Sequence, residues 1–100
     1  MIRIYADFQK SDRLGDDTFL ILTTRGTMQD LAKQGLEFCE GLQVMLYADD
    51  LDKNGVYDEL EADAEIRWSE DHKCWIGVID TTKIRHTSDR LKAGQESTGK

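Results

Sequence analysis

Twelve residues near the middle of the chain carry its densest set of potential metal ligands. Asp50, Asp52, Asn54, Asp58 and Glu61 place oxygen-bearing side chains at the first, third, fifth, ninth and twelfth positions of one run. Val56, at the seventh, offers a backbone carbonyl, and Gly55, at the sixth, allows the sharp turn such a loop requires. Carboxylate and carbonyl oxygens are hard ligands, and this alternation wraps them around an ion the size of Ca2+. The surrounding charge adds to the case. Asp49, Asp50, Asp52, Asp58, Glu59, Glu61 and Asp63 are offset only by Lys53. A divalent cation relieves the repulsion among them. Water and salt relieve it too, since exposed charges are screened over about 8–10 Å.

The run fits the pattern D-x-[DN]-x-[DN]-G-x5-E and resembles the calcium loop of the EF-hand family. The resemblance implies Ca2+ as a cofactor, with Asp50, Asp52, Asn54, Val56, Asp58 and Glu61 as its ligands. It covers the loop alone. The position that is normally aliphatic in the family is Tyr57, and the flanking segments read as strands where the family has helices. A calcium-stabilised domain, with the loop set between strands, is therefore one expectation. An acidic hairpin tip is the other, because Asn54-Gly55 between alternating apolar runs is a strong turn signal. A two-residue turn there sets Leu46 opposite Asp63 and mixes the faces of the hairpin. An even register, such as Leu46 opposite Ala64 and Val44 opposite Ile66, keeps the faces matched and calls for a wider loop or a bulge.

Other reactive residue types are sparse. His72 and Cys74 form an H-x-C pair, with Cys39 elsewhere, which falls short of the four ligands a zinc site takes. Neither cysteine has a partner that marks it as a nucleophile beside His72 or His86. Lys83, Arg85, His86, Arg90 and Lys92 form a basic cluster with the chemistry to contact phosphate. No phosphate loop, Ser-His-Asp set or paired-glycine fingerprint is present, so the reading is non-enzymatic. Tyr47, Tyr57 and Trp75 are the candidate partner-binding residues, on condition that their rings are exposed together. Trp68 continues the apolar face of the residues before it and reads as core.

The elements that must position these groups follow from periodicity. Ile2, Ile4, Ala6 and Phe8 alternate with polar residues and predict a first strand, followed by a surface loop over 9–17. Residues 18–25 predict a second, central strand. Gly26 ends it, Thr27 and Asp30 have the spacing of a capping box, and Gly35 is a natural stop, so a short helix is expected over 28–34. Residues 42–48 predict a third strand. From 59 to 69, Leu60, Ala62, Ala64, Ile66 and Trp68 alternate strictly with charged residues, a fourth strand that outweighs the helix-friendly composition. Residues 74–80 predict a fifth, hairpinned to the fourth.

Five short strands and one helical turn predict a mainly β fold: a small antiparallel five-stranded barrel. It resembles the Src-homology-type barrel in architecture, and the OB-type barrel second. The barrel is expected over residues 1–87 as a single domain, with a mobile tail over 88–100. One hundred residues leave no room for a second domain.

Twenty acids against thirteen bases give a net charge of −7. The balance is uneven: residues 1–80 are strongly acidic, and residues 81–100 are net basic. An acidic body opposes large nucleic acids, and no apolar run is long enough to cross a membrane. With no leader-like segment before the first strand, the expected setting is the cytoplasm, with both cysteines as thiols. The favoured function is a protein-interaction module with an acidic face. Its expected partner is a basic protein, or a second copy through an exposed sheet edge. A small acidic inhibitor of a basic toxin or nuclease fits the same charge.

Overall fold

A computed structural model describes residues 2–14, 17–51 and 54–91. In chain order the elements are β1 (Arg3–Tyr5), β2 (Ser11–Leu14), β3 (Asp17–Ile21), α1 (Arg25–Gln34), β4 (Gln43–Ala48), β5 (Leu60–Ser69), β6 (Cys74–Ile79), a 3-10 turn (Thr81–Lys83) and β7 (Arg85–His86). Residues 87–91 are helical. No helix among the described residues is long and apolar enough to cross a membrane.

The alternation at residues 60–69 becomes the spine of the fold. β5 pairs antiparallel with β4 along its first half and with β6 along its second. The register with β4 is even, as the matched faces require, but shifted by two from the pairing expected. Val44 lies opposite Ala64, and Leu46 opposite Ala62. Ala62, Ala64 and Ile66 thus share a face with Val44, Leu46, Ile4, Leu20 and Ile79, and this face is the hydrophobic core. Leu31 of α1 covers it, with Leu36, Phe38, Trp75 and Ile84 at its margins.

The sheet does not close. The expected five-stranded barrel is replaced by a seven-stranded, mostly antiparallel open sheet in a mixed α/β fold. The strand order is β1-β4-β5-β6-β3-β2, with β7 added to β5. β1 and β2 are the two edges, and among the described residues β1 pairs only with β4 and β2 only with β3, so the ladder between edges that would close a barrel is not formed. β1 pairs parallel with β4, and parallel neighbours need a long crossover, here supplied by everything from β2 to α1. The apolar face is then covered by the helix, where a barrel would cover it by curling the sheet on itself.

The helix also seals an edge. Ile4 faces β4, which turns the peptide groups of Arg3 and Tyr5 outward. Thr27 Oγ1 donates to the Tyr5 carbonyl at 2.5 Å. The Tyr5 N–H donates to Asp30 Oδ2 at 2.9 Å, and Gln34 Nε2 donates to the Arg3 carbonyl at 2.9 Å. Residues 27, 30 and 34 form one helical stripe, and that stripe satisfies an edge that would otherwise invite another strand.

Thr27 and Asp30 therefore do not make the expected capping box. The helix starts earlier, at Arg25. Its N-cap is Thr24, whose side chain accepts from the Thr27 N–H, and Gly35 ends it in the left-handed region as expected. Gly26, expected as a strand breaker, lies inside the helix. A Cβ there would come within 2.5 Å of the Tyr5 ring, so the helix can approach β1 only through glycine. The expected loop over 9–17 also contains a strand, β2, which three polar residues and one leucine (Ser11, Asp12, Arg13, Leu14) do not announce.

Candidate functional site

Beyond the β4–β5 ladder the two strands continue as a two-stranded ribbon. The Asp58 N–H donates to the Asp50 carbonyl at 3.0 Å, and Leu51 bridges Tyr57. Gly55 turns the tip at a φ of 77°. The acidic segment is thus a hairpin with a wide tip, and period two sends its carboxylates to both faces.

A basic strap, residues 84–91, lies along this ribbon. β7 pairs with the start of β5, Arg85 opposite Glu61 and His86 opposite Leu60. The Thr87 N–H then donates to the Glu59 carbonyl at 2.8 Å. Alternate strap residues grip alternate faces. Arg85 Nε reaches Glu61 Oε1 at 3.1 Å, and Thr87 Oγ1 reaches Glu61 Oε2 at 2.9 Å. On the other face His86 Nε2 sits 2.8 Å from Asp50 Oδ2, and the Ser88 hydroxyl donates to Asp58 Oδ2 at 2.5 Å. Arg90 closes on Glu61 as well. Ser88 to Leu91, expected as the start of a mobile tail, are helical and begin with these contacts; residues 92–100 lie outside the described residues.

Glu61 is the centre of the arrangement, and its side chain is fully buried. A buried carboxylate persists only when paired, and three guanidiniums meet this one: Arg85, Arg90, and Arg3 at 3.7 Å. Burial pushes the Glu61 carboxyl up, but hydrogen bonds from Arg90 and Thr87 outweigh it and hold the group below its ordinary range. Arg3 also binds Glu59 at 2.9 Å and lies 4.4 Å over the Tyr47 ring. Tyr47 in turn donates to Asp30 at 2.7 Å. Its hydroxyl is pushed up to about 12 by burial and by that hydrogen bond.

The candidate calcium ligands are consequently divided. Asp50 and Asp58 face His86 and Ser88, and those hydrogen bonds lower both carboxyls. Glu61 faces the arginines on the opposite side of the ribbon. Asn54 and Val56 are exposed at the tip, and Asp52 lies outside the described residues. Among the described residues, no group of three or more His, Cys, Asp or Glu is arranged to hold a metal ion.

The three candidate partner-binding residues are also separated. Tyr57 is exposed and donates to Asp49 and Glu59. Through Glu59 and Arg3 it is linked to Tyr47. Trp75 is elsewhere: it lies opposite Trp68 on the core-side face of the sheet. Trp68, expected in the core, is 40% exposed, because the sheet ends beside it. His72 contacts Ser69 and Asp12 rather than Cys74, and both cysteines are free.

Sequence reasoning grouped the basic residues of the strap but matched them to phosphate; their partners are the acids of the ribbon. The signal was present in the charge asymmetry along the chain, net acidic before residue 81 and net basic after it. Arg3 carried no comparable signal, since only the parallel β1–β4 pairing brings it beside Glu59 and Glu61. No family model, curated protein or solved structure matches the chain.

Proposed function

We propose that this protein is a non-enzymatic interaction module that binds a basic partner protein through its acidic ribbon. The observation that carries this reading is the strap itself. Asp50, Asp58, Glu59, Glu61 and Asp63 hold guanidinium, imidazole and hydroxyl groups of the same chain, with Arg85 reaching Asp63 at 3.6 Å. The surface therefore has the stereochemistry to receive a basic segment, since Arg–carboxylate pairs are among the strongest and most directional polar contacts. Asp63 remains 61% exposed at its side chain and Asp49 is exposed, which leaves carboxylates for a second chain. The net charge of −7 steers such a partner over longer range.

The test is calorimetric titration of the full chain with an arginine-rich peptide at two salt concentrations. The expected result is saturable binding that weakens as salt rises, and that weakens at least tenfold in an Asp49→Lys/Asp63→Lys double variant. Binding that is indifferent to both salt and the double reversal overturns the reading.

A further inference from the structure

The far end of the sheet carries an apolar groove that the acidic ribbon does not explain. Met28 and Leu31 of α1, then Leu36, Glu37, Phe38 and Trp75, line a shallow, open groove of about 360 Å³. An open apolar groove suits the side chains of a docked segment rather than an enclosed small ligand. Met28 is 45% exposed at its wall. Phe38 and Trp75 stand 6.2 Å apart, and Trp68 packs T-shaped on Trp75 at 5.3 Å, which extends the aromatic surface outward. Tryptophan, phenylalanine and methionine are the types enriched at protein interfaces, and tryptophan is the type most often at their energetic centre.

The charge at the groove narrows the occupant. Among the described residues Glu37 is the one charged residue lining it, and Glu40 is exposed close by in sequence. A carboxylate on the rim of an apolar pocket favours an apolar side chain with a cation beside it and disfavours one with an anion beside it. The geometry points to this groove as the docking site for a basic amphipathic segment of a partner protein, its apolar side chain in the pocket and its Lys or Arg on Glu37. The inference rests on the reading of a basic partner and adds the apolar anchor to it.

The protein carries its own reporter, since both of its tryptophans, Trp68 and Trp75, belong to this cluster. The experiment is a tryptophan-emission titration of the full chain with a synthetic peptide alternating pairs of leucine and lysine. Control peptides replace every lysine with glutamate or every leucine with serine. A saturable emission shift is expected with the leucine–lysine peptide and with neither control. Met28→Asp and Glu37→Lys are each expected to weaken it at least tenfold without altering the thermal melt of the free protein. Asp49→Lys/Asp63→Lys, on the ribbon, is expected to leave the emission response in place. No shift at millimolar peptide, or an equal shift with the glutamate peptide, overturns the proposal. So does a protein-concentration-dependent shift without peptide, accompanied by doubled mass in sedimentation, which assigns the groove to a second copy of the chain. An emission response that survives when arginine-peptide binding has failed its own test overturns the ribbon reading and leaves the groove standing.

Discussion

Strand β5 buries Glu61 completely near its start, yet leaves Trp68 40% exposed near its end. Each residue occupies the environment that its type would not choose. Around Glu61 the sheet is flanked by β4 and β7 and overlaid by Arg3, Arg85 and Arg90, so even a charged side chain is shut off from water. Around Trp68 only β6 is paired alongside, and Trp75 is its aromatic neighbour. Burial along this strand is set by what lies across and above each position. One end is held by charge and the other by aromatic contact, and the two should respond to different perturbations.

The largest expected effect is at the charged end. Glu61→Gln keeps the shape but removes the charge that gathers three arginines. Breaking a buried pair costs about 3–5 kcal/mol. Because the arginine side chains keep 25–40% of their exposure, the expected loss is near the low end, about 3 kcal/mol. For a domain of this size that lowers Tm by roughly 12–24 °C. A fall of less than about 4 °C would mean that ribbon and strap are held by something other than this carboxylate.

A smaller effect, still confined to the ribbon, is expected from pH. The carboxyls of Glu61, Asp50 and Asp58 lie below their ordinary values of 4.5 and 3.8. Their contribution is present above those values and is lost as pH falls through the lowered ones. The hydrogen bond from Asp50 raises His86 above its ordinary 6.5. Its contribution is present below 6.5 and is lost as pH rises through the raised value. Tm is therefore expected to peak between pH 4.5 and 6.5. His86→Gln should flatten the alkaline limb and, because His86 also holds the Asp50 carboxyl down, weaken the acid limb to a lesser degree. Melts of this variant above pH 6.5 that decline as steeply as those of the unsubstituted protein would detach His86 from the strap.

The smallest effect is expected at the aromatic end. Trp68→Ala removes an exposed ring and one T-shaped contact, worth about 0.5–1.5 kcal/mol. The melt should shift by a few degrees and remain as sensitive to pH as before. A loss as large as that of Glu61→Gln would show that the two ends of β5 are not independent.

How much of this was legible beforehand differs from element to element. β4, β5 and β6 follow from alternation, and the even register follows from the need to match apolar faces. The helix stop follows from Gly35. β2 escaped because its four residues carry no apolar alternation; it is a strand only because β3 offers it a partner. The capping-box spacing of Thr27 and Asp30 was real, but the same two residues served a nearby strand edge that no local pattern could announce. The acidic loop and the basic cluster were each visible, and their attachment to one another was not.

The sequence by itself determined the polar and apolar faces of the central strands, the sharp turn at Gly55 and the separation of acid from base along the chain. These are local or compositional properties, carried by residue type and spacing. Tertiary structure alone decided that the sheet stays open, that Arg3 joins Arg85 and Arg90 at Glu61, and that Trp68 meets water. Each of those depends on which strand becomes the neighbour of which. A period-two pattern says which side of a strand faces the core, but is silent about what lies across it.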